Sequence, residues 1–148
     1  MSLKQTRHLQ WAVQMHPRAQ KRHRHTKSGR TYDPSAAEKA QFRKKSLAAC
    51  PPLTEVDKSA MRMRLVFACP RPQSHYTTKK RDKLSSRAPV QHVFKCDIDN
   101  YAKFVMDSLC GTFYHDDAQI FELTARKEWV SSGSEAVSVE LTSYSDNS

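Results

Sequence analysis

The sequence predicts a single α+β (α/β) domain over residues 1–148, a mixed β-sheet with two main helices packed against it in the order β-α-β-α-β-β. Three observations predict it. Met61 to Cys69 alternates, with Met61, Met63, Leu65 and Phe67 on one face and Arg62 and Arg64 on the other, the two-residue period of a half-buried strand. Asp97 to Cys110 places Ile98, Tyr101, Ala102, Val105, Met106 and Leu109 on one stripe at helical spacing. Glu135 to Tyr144 returns to strand-like alternation, so the two periods interleave.

The remaining elements follow in order. Leu9 to Met15 reads as a first strand, and the ends, about 1–8 and 145–148, read as flexible. His16 to Pro34 is a basic loop with a Ser28-Gly29 turn. Ser35 is placed as an N-cap, with Glu38 as its capping-box partner, for a helix over AAEKAQFRKKSLAA that stops before Pro51-Pro52. Pro70 and Pro72 close the central strand, and Arg71 to Pro89 forms a second basic loop with room for one helical turn. The helix at 97–110 ends at Gly111. A strand over Gln119–Glu128, a turn at Ser131-Ser132-Gly133 and the last strand complete the chain. Trp11, Phe67, Phe104, Phe113 and Phe121 are assigned to the core; Phe104 lies at the edge of the apolar stripe, where a dimer contact would cover it.

Composition narrows the function. The formal charge is +10, but it is polarised: residues 1–95 carry 22 Lys/Arg against 5 Asp/Glu, and residues 96–148 carry 3 against 10. A basic first part fits a nucleic-acid partner. No apolar run reaches the roughly 20 residues that span a bilayer, which excludes a membrane helix. The first residues hold no apolar stretch of signal-peptide length, so the reading is a soluble, DNA-associated intracellular protein that is not secreted. Cys50, Cys69, Cys96 and Cys110 form no CxxC pair and read as reduced thiols.

The acidic part is the anomaly. Asp97/Asp99 and Asp116/Asp117 bracket one short amphipathic stretch. Each pair has an ordinary explanation: Asp97 as an N-cap, Asp99 paired with Lys103 at i,i+4, and Asp116-Asp117 as a turn before a strand. Gathered together, carboxylates in a chain that seeks an anionic partner are resolved most simply by a divalent cation facing phosphate. Lys103, one turn beyond Asp99, is then placed to meet charge developing on that phosphate.

These residues also carry a resemblance. KCDIDNYAKFVMDSLCGTFYHDDAQIFELTARK, Lys95 to Lys127, resembles the signature of RusA-type Holliday junction resolvases: a DxDN motif opening a helix, a following Lys, then a DD pair and a Gln before a strand. The upstream GRTYDPSAAEKAQFRKKSL resembles the family's basic loop leading into the first helix, so the likeness covers about residues 9–142. Cys96 departs from the pattern, standing where many members have Pro or Arg.

The resemblance implies a homodimeric, Mg2+-dependent endodeoxyribonuclease, with Mn2+ as a substitute ion, that nicks four-way DNA junctions symmetrically. It implies Asp97, Asp99, Lys103 and Asp117 as catalytic residues and Asp97, Asp99 and Asp117 as metal ligands, with Asp116 assisting and Asn100 and Asp107 in support. The basic loops supply phosphate contacts from Arg22, Arg24, Lys27 and Arg30, and from Lys79, Lys80, Arg81 and Lys83. The competing readings are a catalytically inactive DNA-binding module of the same fold and a metal-dependent nuclease for flaps or single strands.

Overall fold

The computed structural model describes residues 2–51, 55–80 and 83–146. Four long strands form one mixed sheet: β1 (Leu3–Val13), β4 (Ala60–Pro70), β5 (Ile120–Val130) and β6 (Ala136–Asp146). Their order across the sheet is β1-β6-β4-β5. β6 pairs antiparallel with β1 and β4, and β4 pairs parallel with β5 through a crossover containing α2 (Ile98–Leu109). α1 (Ala36–Ala49) lies beside α2 and β1. A two-residue ribbon, β2 (Arg24–His25) with β3 (Thr31–Tyr32), projects from the first basic loop. The fold is α+β, with the expected succession of main elements.

One sheet face is apolar because alternation on the strands is in register. Met61, Met63, Leu65 and Phe67 of β4 are fully buried, flanked by Val137, Val139 and Leu141 of β6 and by Trp11 and Val13 of β1. Both helices cover that face. On α2 the buried side is Tyr101, Ala102, Phe104, Val105, Ser108 and Leu109. This corrects the expected stripe: Phe104 is 1% exposed and sits edge-on to Phe42 of α1 at 6.0 Å, so α1 covers it and no dimer contact is needed, while Ile98 at the stripe's other edge is 37% exposed.

Three further expectations are corrected. β1 begins at Leu3 rather than Leu9, because Leu3 to His8 pair with β6 up to Asp146. Ser35 makes no side-chain cap; its backbone N–H is held by Asp33 Oδ1 (2.9 Å) and its Oγ accepts from Lys21 N–H (3.1 Å), which fastens the basic loop to the start of α1. Phe121 is 48% exposed rather than core, because a register shift in the β4–β5 pairing sets it on the open face beside Tyr144 and Arg62. The expected short turn in the second basic loop is present at Gln73–His75. The expected stop of α1 at Pro51-Pro52 falls partly on Pro52, which lies outside the described residues.

Candidate active site

α2 carries functional side chains at both ends. At its N-terminal end Asp97 is the N-cap by backbone position: its carbonyl accepts from Asn100 N–H (3.1 Å) and Tyr101 N–H (3.2 Å). Its carboxylate makes no cap bond. The ordinary explanation for that side chain is therefore not the one realised. Asp99 is exposed as well, and among the described residues neither it nor Lys103 enters an ion pair.

The first basic loop reaches this end of the helix. Gln20 N–H donates to Asn100 C=O (3.0 Å), and Lys21, Arg22 and His23 share with Asn100 and Lys103 a cleft of about 320 Å³. Arg22, Arg24, Lys27 and Arg30 are all exposed on the loop and ribbon beyond it. In the second basic loop, Lys79, Lys80 and Lys83 are exposed, and Thr77 N–H donates to Lys83 C=O (2.9 Å); Arg81 lies outside the described residues.

The C-terminal end of α2 gathers the other acids. Asp116 caps the short turn Asp117–Gln119, its Oδ1 accepting from Ala118 N–H (3.0 Å). Gln119 fixes that turn from both sides. Its Oε1 accepts from His115 and Asp116 N–H (2.7 and 2.8 Å), while its Nε2 donates to Asp57 and Ser59 C=O (2.9 and 2.8 Å). Asp117 Oδ1 is buried with no hydrogen-bond partner. Burial pushes the Asp117 carboxyl above its ordinary pKa, and the charges of Asp107 and Asp116 push the same way.

Asp107 is linked instead to Lys39. The Lys39 ammonium, 10% exposed, donates to Asp33 Oδ2 at 2.6 Å and Asp107 Oδ2 at 3.3 Å, tying the base of the basic loop, α1 and α2 together. Burial favours a protonated Asp33, yet the Lys39 and Ser35 bonds outweigh it and hold that carboxyl below its ordinary pKa. Lys39 and Asp33 belong to no site motif of the sequence. Their signal is a buried-stripe position occupied by Lys on α1, which demands a buried anion nearby.

The sequence-predicted acids thus fall into two groups. Eight helical steps, about 12 Å of axis, separate Asp99 from Asp107, the acid whose charge reaches Asp117. Among the described residues no three His, Cys, Asp or Glu side chains converge as a metal site. Asp97, Asp99, Asn100 and Lys103 form one group; Asp107, Asp116 and Asp117 form the other.

Comparison with known proteins agrees with the motif. The family model Endodeoxyribonuclease RusA matches residues 14–142. The uncharacterized protein YqaN of Bacillus subtilis (strain 168) is 34% identical over 58 residues, 39% of this chain and 41% of that protein, so the likeness spans under half of the relative's length.

Proposed function

The chain belongs to the RusA endodeoxyribonuclease family, and on that premise we propose that it is a Mg2+-dependent homodimer that resolves four-way DNA junctions by paired nicks. The observation that carries this reading is the N-terminal end of α2. Among the described residues two exposed carboxylates there, Asp97 and Asp99, make no cap bond and no ion pair, and they immediately precede Asn100 and Lys103, which share a cleft with the basic loop. Mg2+ is commonly held by one or two carboxylates, with water and phosphate oxygens completing the shell, so this pair fits the ion. When bound, Mg2+ (or Mn2+) supplies Lewis-acid polarisation of the phosphate and a more acidic bound water. The chain's own part is to hold the ion through Asp97 and Asp99, with Asn100 beside them, and to set the Lys103 ammonium against charge developing on the phosphate. The basic loops grip the backbone: Arg22, Arg24, Lys27 and Arg30 on one side, and Lys79, Lys80, Arg81 and Lys83 on the other.

Asp117 and Asp116 do not join this pair within one chain, and the sheet edge suggests how a second chain supplies them. Among the described residues β5 pairs only with β4, leaving an eleven-residue outer edge on which Leu123 is 43% exposed. Antiparallel pairing of two such edges about Thr124 sets Glu122 opposite Arg126 of the partner subunit, an opposite-charge pair repeated by symmetry. The same pairing carries the start of the partner's strand, with its Asp117 turn, towards the end of β5 where Asp97 opens α2. β1, the other edge, is a poorer candidate because it is bulged between Gln5 and Arg7 and studded with Lys4, Arg7 and His8.

The test is a Mg2+ titration on an end-labelled four-way junction. Wild type is expected to give paired nicks, and Asp97→Asn to keep junction binding while losing them. Binding without nicks at every metal concentration would favour an inactive DNA-binding module. Faster cleavage of a flap or single strand than of the junction would favour the alternative nuclease.

A further inference from the structure

Residues 89–96, the segment that delivers Asp97 to the helix, have no regular structure, and none of their backbone groups takes part in a backbone–backbone hydrogen bond among the described residues. Their carbonyls are held by side chains from the neighbouring strands. Arg71 donates to Pro89 C=O (2.8 Å), Trp129 Nε1 to Gln91 C=O (3.2 Å), and the single ammonium of Lys127 to both Phe94 C=O (2.8 Å) and Cys96 C=O (2.9 Å). The Trp129 ring carries the segment's weight as well: His92 stacks on it at 3.9 Å and 8°, and His75 meets it edge-on at 4.9 Å. Lys127 therefore holds the carbonyl of the peptide that joins Cys96 to Asp97.

We propose that Lys127 is a positioning residue for the metal-binding carboxylates, fixing the approach to Asp97 through the Phe94 and Cys96 carbonyls so that Asp97 and Asp99 are pre-set for a divalent cation. The inference rests on the reading of Asp97 and Asp99 as ligands. A lysine that merely capped two stray carbonyls would affect stability alone. One that orients a ligand-bearing turn governs metal affinity, as groups that orient ligands do, by about 10- to 100-fold. Lys suits the task because its three rotatable donors serve two carbonyls from one point.

The experiment compares wild type, Lys127→Met and Lys127→Arg in three measurements. Mn2+ binding is followed by the loss of the free-ion electron-spin signal, amide exchange is followed at Asn100 and Tyr101, and junction nicking is followed against Mg2+ concentration. Lys127→Met is expected to weaken Mn2+ binding and raise the Mg2+ midpoint by about tenfold. It should also speed exchange of both amides while leaving junction affinity in EDTA unchanged, and Lys127→Arg should restore most of the loss. An unchanged Mn2+ affinity in a folded Lys127→Met protein overturns the proposal, whatever its melting temperature. If wild type binds Mn2+ yet cuts no junction, the junction-resolving reading fails while the Lys127 assignment is still decided by binding and exchange.

Discussion

The division of the acids between the two ends of α2 is open to a subunit-mixing experiment. From Asp97 to Cys110 the helix advances about 20 Å, whereas Mg2+ ligand oxygens sit about 2.1 Å from the ion. No side-chain rearrangement closes that gap within one chain. If Asp117 acts beside Asp97, it must come from the partner subunit. Asp97→Asn and Asp117→Asn chains, co-expressed with different tags and purified as heterodimers, then contain one site with both lesions and one with neither. Each variant homodimer is expected to lose nicking by at least about a hundredfold. The heterodimer should recover one working site of two, about half the wild-type nick rate per dimer. The assay is single-turnover nicking of an end-labelled junction on a denaturing gel, where one restored site gives one labelled product instead of a symmetric pair. Heterodimers as inactive as either homodimer would refute the shared site.

Other outcomes follow from the same structure. Phe104→Ala, which empties a fully buried ring site against Phe42, is expected to cost about 3–5 kcal/mol by urea unfolding. Lys39→Met strands Asp33 and Asp107 without their cation and should cost about 3 kcal/mol in the same measurement, with Lys39→Met/Asp107→Asn losing less than the sum. Burial, with Arg71 beside one ring and Lys127 beside the other, lowers the pKa of His75 and His92 below the ordinary 6.5, so the unfolded chain binds more protons there. Stability should therefore rise with pH up to about 6.5 and level off above it, and fall as pH drops; a flat melting temperature between pH 5 and 7 would contradict this. Replacing both Arg22 and Arg24 by Ala should reduce the slope of log K against log salt by about 1.8 if each neutralises one phosphate.

Much of this arrangement is legible in the sequence because local period sets it. The β4 alternation and the α1 and α2 boundaries need nothing beyond their own residues, and the observed helices match the expected ranges to within one residue. What escapes is set by distant partners. Phe104 turns inward only because Phe42, 62 positions earlier, lies across it. Ser35 gives up its capping role because Lys21 and Asp33 use its hydroxyl and amide first. Gln119 reads in sequence as one letter of a motif, and its work, clamping the Asp116-Asp117 turn to Asp57 and Ser59, appears only once β5 lies beside β4.

The same contrast explains why a basic chain tolerates its acids. Asp97 and Asp99 immediately precede Asn100 and Lys103, which share a cleft with Lys21 and Arg22, so in the proposed reading an ion and a phosphate arriving together would neutralise both signs at once. At the far end Asp107 has, among the described residues, Lys39 alone as cation, and Asp33 shares that ammonium. The Asp117 carboxyl, half-buried beside two like charges, is left the least compensated group of the set, which its upward pKa displacement registers. Like charges crowding a half-buried carboxyl carry a repulsive cost that an Asn at the same turn would not. If a second copy presents its Asp97 end to the outer edge of β5, as proposed above, an ion held there would meet the Asp117 carboxyl.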